Sequence, residues 1–98
     1  PRSGAAYVAD GRVMVRVLFF GRLSDAAGTE ELLTPLPPHA RRISDLKLVL
    51  TRLHPELGAL LEEPNVRVAI NQRVAPAKSD PEISDRDEIA FMPPMSGG

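Results

Sequence analysis

The fold begins with the segment Val13-Met14-Val15-Arg16-Val17-Leu18-Phe19-Phe20, which Gly21 follows. It is short and rich in β-branched and aromatic residues, as is typical of a β-strand. Because side chains alternate across a strand, one face holds Val15, Val17 and Phe19, and the other holds Met14, Arg16, Leu18 and Phe20. The face without a charge is expected to enter the core, which turns Phe20 toward solvent.

A second strand is predicted shortly after the first. Residues 21–28 are expected to form a loop, and residues 29–36 a strand that the neighbouring prolines close. Because the two strands are close in sequence, we expect them to pair antiparallel.

One substantial helix is predicted after these prolines. Ser44 suits an N-cap, and a hydrophobic staple is expected between Ile43 and Leu48. The buried stripe at helical spacing consists of Leu46, Val49, Leu50 and Leu53. Pro55 ends the helix, and residues 56–62 are expected to add a short turn.

The last third of the chain predicts a hairpin and a closing strand. Residues 66–70 alternate in character, Asn71-Gln72 turns the chain, and residues 73–75 return. Residues 88–92 form the final predicted strand, with Ile89 and Phe91 facing inward and Glu88 and Met92 facing outward.

The order of these elements indicates an α+β fold. A mixed four- to five-stranded sheet wrapping one main helix, the β-grasp or ubiquitin-like fold, suits this length. We expect this domain over residues 13–92. Residues 1–12 are expected to be a disordered lead or a vector-derived remnant, since Met14 suits a native start, and residues 93–98 an extended C-terminal tail.

The composition excludes several classes of function. The chain has no cysteine, which rules out a disulfide scaffold, a thiolate metal site and a cysteine nucleophile. Its net charge is -1 with both signs interspersed, which does not suit nucleic acid or an acidic membrane. No apolar run approaches the roughly 20 residues that span a bilayer. We therefore expect a cytoplasmic protein with protein partners, no bound metal and no contact with nucleic acid or membrane.

The C-terminal tail carries the chemistry that the rest of the chain lacks. Two prolines favour an extended chain after the last strand, and the sequence then ends in Gly97-Gly98. Glycines lack a Cβ atom, so this end can enter a narrow channel and a nucleophile can approach its carbonyl carbon. The carboxylate needs activation before it reacts, and the chain contains no phosphate-binding loop to supply it.

Three stretches resemble the small subunit of molybdopterin synthase, a ubiquitin-like sulfur carrier. They are Val15-Arg16-Val17-Leu18-Phe19-Phe20, Ala69-Ile70-Asn71-Gln72, and the end Asp87-Glu88-Ile89-Ala90-Phe91-Met92-Pro93-Pro94-Met95-Ser96-Gly97-Gly98. The resemblance covers residues 14–98, and its most specific part is the ending.

The resemblance implies a role for each end residue. Gly98 carries first an acyl-adenylate, made from ATP by an activating enzyme related to ubiquitin E1, and then a thiocarboxylate. Gly97 permits passage of the tail into the large subunit, where sulfur is delivered to cyclic pyranopterin monophosphate for molybdenum cofactor biosynthesis. This chain is then the sulfur-donating half of a sulfurtransferase, in a heterotetramer with two large subunits, and binds no cofactor itself.

The resemblance also implies a docking surface for the large subunit. By motif its positions fall on Phe20, Val74 and Met92, and it continues into the tail through Pro93, Pro94, Met95 and Ser96. Met92 stands where an aromatic residue is more familiar.

Other polar residues carry weaker signals. His39 and His54 lack a second ligand at metal spacing and are expected at the surface or in a cap. Asp85, Asp87 and Glu88 are expected to form a solvated turn rather than a metal or acid-base site, and Lys47 and Lys78 are weak candidates for accepting a covalent link.

Two alternatives remain open from the sequence. One is a sulfur carrier for thiamine or another cofactor, or a modifier that conjugates to lysines. The other is a ubiquitin-like interaction domain whose partners ignore the tail.

Overall fold

The computed structural model describes residues 7–9 and 12–93. The strands are β1 (Tyr7–Ala9), β2 (Arg12–Phe19), β3 (Glu31–Thr34), β4 (Arg67–Ile70), β5 (Arg73–Val74) and β6 (Glu88–Met92). The helices are α1 (Arg22–Ala27), α2 (Ile43–Leu53) and α3 (Pro55–Leu61). Within these residues no helix is long and apolar enough to cross a membrane.

The sheet is mixed, with β2 and β6 side by side and parallel. β2 pairs antiparallel with β1 and β3, while β6 pairs antiparallel with β4, which forms a hairpin with β5. A parallel pair needs a crossover connection, and the chain between β2 and β6 supplies it with α2 and α3. The expected α+β fold with a β-grasp sheet is confirmed.

The core lies between the helices and one face of the sheet. The odd-numbered face of β2 is buried as predicted, and so are Ile89 and Phe91 in β6. The rings of Phe19 and Phe91 stack with centroids 6.2 Å apart. The helices and an adjoining loop contribute Leu23, Ala27, Ile43, Leu46, Leu50, Leu57, Leu61 and Ile83 to the same cluster.

Two predictions in the first part of the chain are wrong. The disordered lead over residues 1–12 includes Tyr7–Ala9, which form β1 against the start of β2. The loop over residues 21–28 contains α1, whose ends are set by Gly21 and the left-handed Gly28 (φ 75°). A six-residue helix is too short to show periodicity, and only burial of Leu23 and Ala27 reveals its inner side.

The start of α2 also differs from the prediction. Ser44 is not the N-cap, because the helix begins at Ile43 after Arg42. Ser44 instead donates its N–H and its hydroxyl to the Asp80 carboxylate at 2.9 and 2.7 Å. The expected staple is absent, since Ile43 lies inside the helix and Leu48 is exposed. Leu53, predicted to belong to the buried stripe, is also exposed, because it is the last residue of the helix. The Asp80 carboxylate, which lies on a distant loop, thus accepts hydrogen bonds from the donors at this end of the helix.

The remaining elements form where the sequence predicts them, although β3, β4 and β5 are shorter than predicted. β3 pairs antiparallel with β2, and the expected extra turn is the helix α3, which begins at Pro55. The hairpin turns at Asn71 and Gln72, whose φ values of 51° and 72° match the left-handed geometry of a two-residue turn. The last strand has the predicted bounds, Glu88–Met92.

Candidate docking face and carrier tail

The helices leave one face of the sheet uncovered, which we call the open face. Strand register decides which residues share it, because directly paired residues point to the same side. Phe19 pairs with Phe91 in the core, so the following residues, Phe20 and Met92, are neighbours on the open face. The Phe20 N–H donates to the Phe91 carbonyl at 3.3 Å, which continues the pairing past the end of β2.

The centre of the open face is an apolar row that runs across four strands. Leu18 pairs with Ala90, Ala90 with Ala69, and Ala69 with Val74. We call this row together with Phe20 and Met92 the apolar patch. Because alanine side chains are short, the middle of the patch is recessed, and the larger side chains around it project further from the sheet.

The three sheet residues predicted to dock, Phe20, Val74 and Met92, lie on this patch. Phe20 is 48% exposed and Val74 57% exposed, whereas Met92 is half-buried. Strands are about 4.8 Å apart, so Phe20 and Met92 are adjacent and Val74 lies on the far side of the alanines. The structure thus brings the three together on one uncovered face, and their contact with a partner stays a prediction.

A charged cluster borders the patch at the end away from the tail. Arg16 on β2 donates to Glu31 on β3 at 2.5 Å and to Glu88 on β6 at 2.9 Å. The Glu88 side chain is only 14% exposed, so this pair is partly shielded from solvent. The cluster connects three strands, and its two carboxylates outnumber its one guanidinium.

The tail leaves the sheet at the opposite end. Pro93 follows β6 directly, and a Cβ built on Gly21 lies 3.0 Å from its Cγ atom. The chain therefore departs beside Phe20, at the edge of the apolar patch. The predicted roles of Pro94, Met95, Ser96, Gly97 and Gly98 fall outside the described residues and stay predictions.

The two histidines lie where they were expected, whereas Glu88, predicted to belong to a solvated turn, lies in β6 and pairs with Arg16. His54 joins α2 to α3 through its backbone, as a cap was expected to do, and His39 is exposed in a loop. Asp87 accepts the Ser84 N–H at 2.8 Å within the predicted turn. Across residues 7–9 and 12–93, no three His, Asp or Glu side chains are grouped as metal ligands.

The carboxylate of Asp80, at the start of α2, has a shifted pKa. The hydrogen bond from the Ser44 side chain holds the pKa of Asp80 below its usual value, with help from the Ser44 N–H and the charges of Arg42 and Lys47 against some desolvation. This carboxylate anchors the loop before β6 to the start of α2. Its role is therefore structural.

Sequence reasoning missed part of the face. Ala69 and Ala90 carry no signal on their own, because only pairing of β4 with β6 shows that they meet. Arg67 stands among the alternating residues 66–70, and only the same register shows that it lies next to Met92.

The chain is similar in sequence to a known family and to proteins of two bacteria. Residues 17–98 match the ThiS family. The molybdopterin synthase sulfur carrier subunit of Haemophilus influenzae is 31% identical over 85 residues, which cover 87% of this chain and 100% of that protein. The subunit of the same name from Escherichia coli is 28% identical, again over 87% of this chain and all of the relative.

Solved structures agree with the fold. The putative molybdopterin converting factor, subunit 1, from Pyrococcus furiosus superposes with a TM-score of 0.68 at 26% identity, covering 86% of this chain and 100% of that one. Small archaeal modifier protein 1 from H. volcanii gives a TM-score of 0.71 at 20% identity, covering 84% and 98%, which supports the fold alone.

Proposed function

This chain belongs to the ThiS family, and on that premise we propose that it is the sulfur-carrier subunit of a molybdopterin synthase. Family membership confirms the resemblance noted in the sequence. The observation that carries the functional proposal is the Gly97-Gly98 end, just beyond β6, in a chain that matches the whole length of two such subunits. The proposed role is to carry sulfur on Gly98.

The proposed chemistry follows from the low reactivity of a carboxylate. The Gly98 carboxylate is ionised at neutral pH and is a poor electrophile. An activating enzyme related to ubiquitin E1 joins it to AMP from ATP, and pyrophosphate leaves. A sulfide nucleophile then attacks the acyl carbon, a C–S bond forms and AMP leaves, which gives the thiocarboxylate.

Sulfur delivery takes place in the large subunit. The thiocarboxylate sulfur bonds to a carbon of the pterin precursor, cyclic pyranopterin monophosphate, and the C–O bond at that carbon breaks, so the oxygen leaves. Water then cleaves the acyl–sulfur bond, which restores the Gly98 carboxylate and leaves the sulfur on the pterin. Gly97 has no side chain to obstruct the channel that the tail enters. This chain supplies the sulfur, and the precursor pocket, ATP site and acid-base groups lie on its partners.

The open face is the surface proposed to hold the large subunit. Its apolar patch is contiguous across the paired strands, and Phe20 and Val74 within it are exposed, as is typical of partner sites. The tail starts beside Phe20, so a partner seated on the patch lies next to the chain that must enter it. The expected assembly is a heterotetramer with two copies of each subunit.

Intact-mass measurement tests the carrier chemistry. With ATP, the activating enzyme and a sulfur source, the chain should gain about 16 mass units as one oxygen is replaced by sulfur. A chain lacking Gly97 and Gly98 is the control; it should fold normally and gain nothing. An unchanged mass for the full chain contradicts the proposal.

Pull-down from cells identifies the client in the same samples. Recovery of the large synthase subunit supports the proposal. Recovery of a thiazole synthase, or of a ladder of lysine adducts, would instead support a carrier for thiamine or a protein modifier.

A further inference from the structure

One charged side chain of the open face is not accounted for by the fold. Arg67 pairs in register with Met92, so it lies on the open face at the end where the tail leaves. Val68, the next residue, packs against the core, which agrees with this placement. Arg67 is exposed.

Arg16, another arginine on this face, is already paired. Arg16 lies between Glu31 and Glu88 and contacts both. Among the side chains that the structure describes, none forms an ion pair or a hydrogen bond with the Arg67 guanidinium. Among the described side chains, the open face therefore has a paired cluster of two carboxylates and one guanidinium at one end, and the unpaired guanidinium of Arg67 where the tail begins.

We infer that Arg67 binds a carboxylate of the large subunit at the point where the carrier tail enters it. This inference rests on the proposed function. Arginine is enriched at protein interfaces, and a charge at the rim of an apolar patch steers the partner and fixes its orientation. The partner surface is thus apolar opposite the patch and acidic opposite Arg67, which aligns the tail with its channel.

Charge reversal at two neighbouring arginines tests this inference. Arg67→Glu removes the proposed contact. Arg73→Glu is the matched control, because Arg73 is also exposed and lies in the same hairpin, but it pairs with Ile70 and so faces away from the patch. Calorimetric titration into the purified large subunit at about 50 mM and about 300 mM NaCl gives the affinities with weak and strong screening.

We expect Arg67→Glu to weaken binding at low salt by about tenfold or more, and Arg73→Glu by less than about twofold. Arg67→Lys should retain most of the affinity. The wild-type affinity should fall as salt is added, and that of Arg67→Ala should fall much less. All variants should unfold at similar temperatures, because exposed charges contribute little to stability.

Two results overturn the inference in different ways. If Arg67→Glu and Arg73→Glu bind alike while the wild type gains sulfur and binds the large subunit, the Arg67 contact is rejected and the proposed function stands. If the wild-type chain does not bind the large subunit at all, both are rejected.

Discussion

The exposure of Phe20 sets the size of the effect expected from Phe20→Ala on binding to the large subunit. The side chain is 48% exposed in the free protein. A phenylalanine presents roughly 200 Å² in all, so a partner that covers it removes roughly 100 Å² more from water. At about 25 cal/mol per Å² this is about 2.5 kcal/mol, and alanine retains a small part of it. We expect a loss of about 2 kcal/mol, or a roughly thirtyfold higher Kd.

Leu48→Ala is the matched control for this experiment. Leu48 is an equally apolar residue, 61% exposed, but it lies on α2, and the helices cover the other face of the sheet. Its truncation should change the Kd by less than about twofold. Isothermal titration calorimetry measures both affinities, and circular dichroism at the same temperature checks that each variant is folded.

The result that refutes this reasoning is a folded Phe20→Ala protein whose Kd matches that of the wild type. The partner would then not cover the ring, and the open face would lose its main anchor. Equal losses for Phe20→Ala and Leu48→Ala would also contradict it, because they would show that the effect does not depend on the face.

Further predictions concern stability and are checked by urea unfolding. Gly58→Ala should cost about 1–3 kcal/mol despite better helix propensity, because the new Cβ lies 2.6 Å from Thr51 Cγ2, and Thr51→Ala should recover part of the loss. Asp80→Ala should lower the free energy of unfolding by about 1 kcal/mol at pH 7, because the N–H and hydroxyl of Ser44 at the start of α2 lose their acceptor. The pKa of Asp80 is lowered in the folded state, so its contribution is present above the ordinary value of 3.8, and the difference from wild type should shrink as pH falls below it. Gln72→Gly should stabilise the hairpin by about 0.5 kcal/mol, since its φ is 72°.

Much of the fold was predictable because its signals are local. Alternation along β2 and β6 identified the buried faces, since a strand side chain has only two directions to point. The turn at Asn71-Gln72 was readable from residue preference. The chemistry of Gly97 and Gly98 was also readable, since it depends on the absence of side chains rather than on distant contacts.

Other elements were hidden because their causes are not local. α1 has two buried residues in six, too few to show a period, and β1 is stabilised by pairing with β2 rather than by its own pattern. Ser44 looked like a cap, but the fold brings Asp80 to that helix end, and the carboxylate takes both donors.

The sequence alone determined the positions of β2 to β6, the inner faces of β2 and β6, the main helix and the glycine end, because each depends on residues adjacent along the chain. Only the tertiary structure decided which outer residues meet. Parallel pairing of β2 with β6 sets Phe20 beside Met92, and pairing of β6 with β4 adds Arg67. Strand register is fixed by burying the opposite face, so the composition of the open face is a consequence of packing the core.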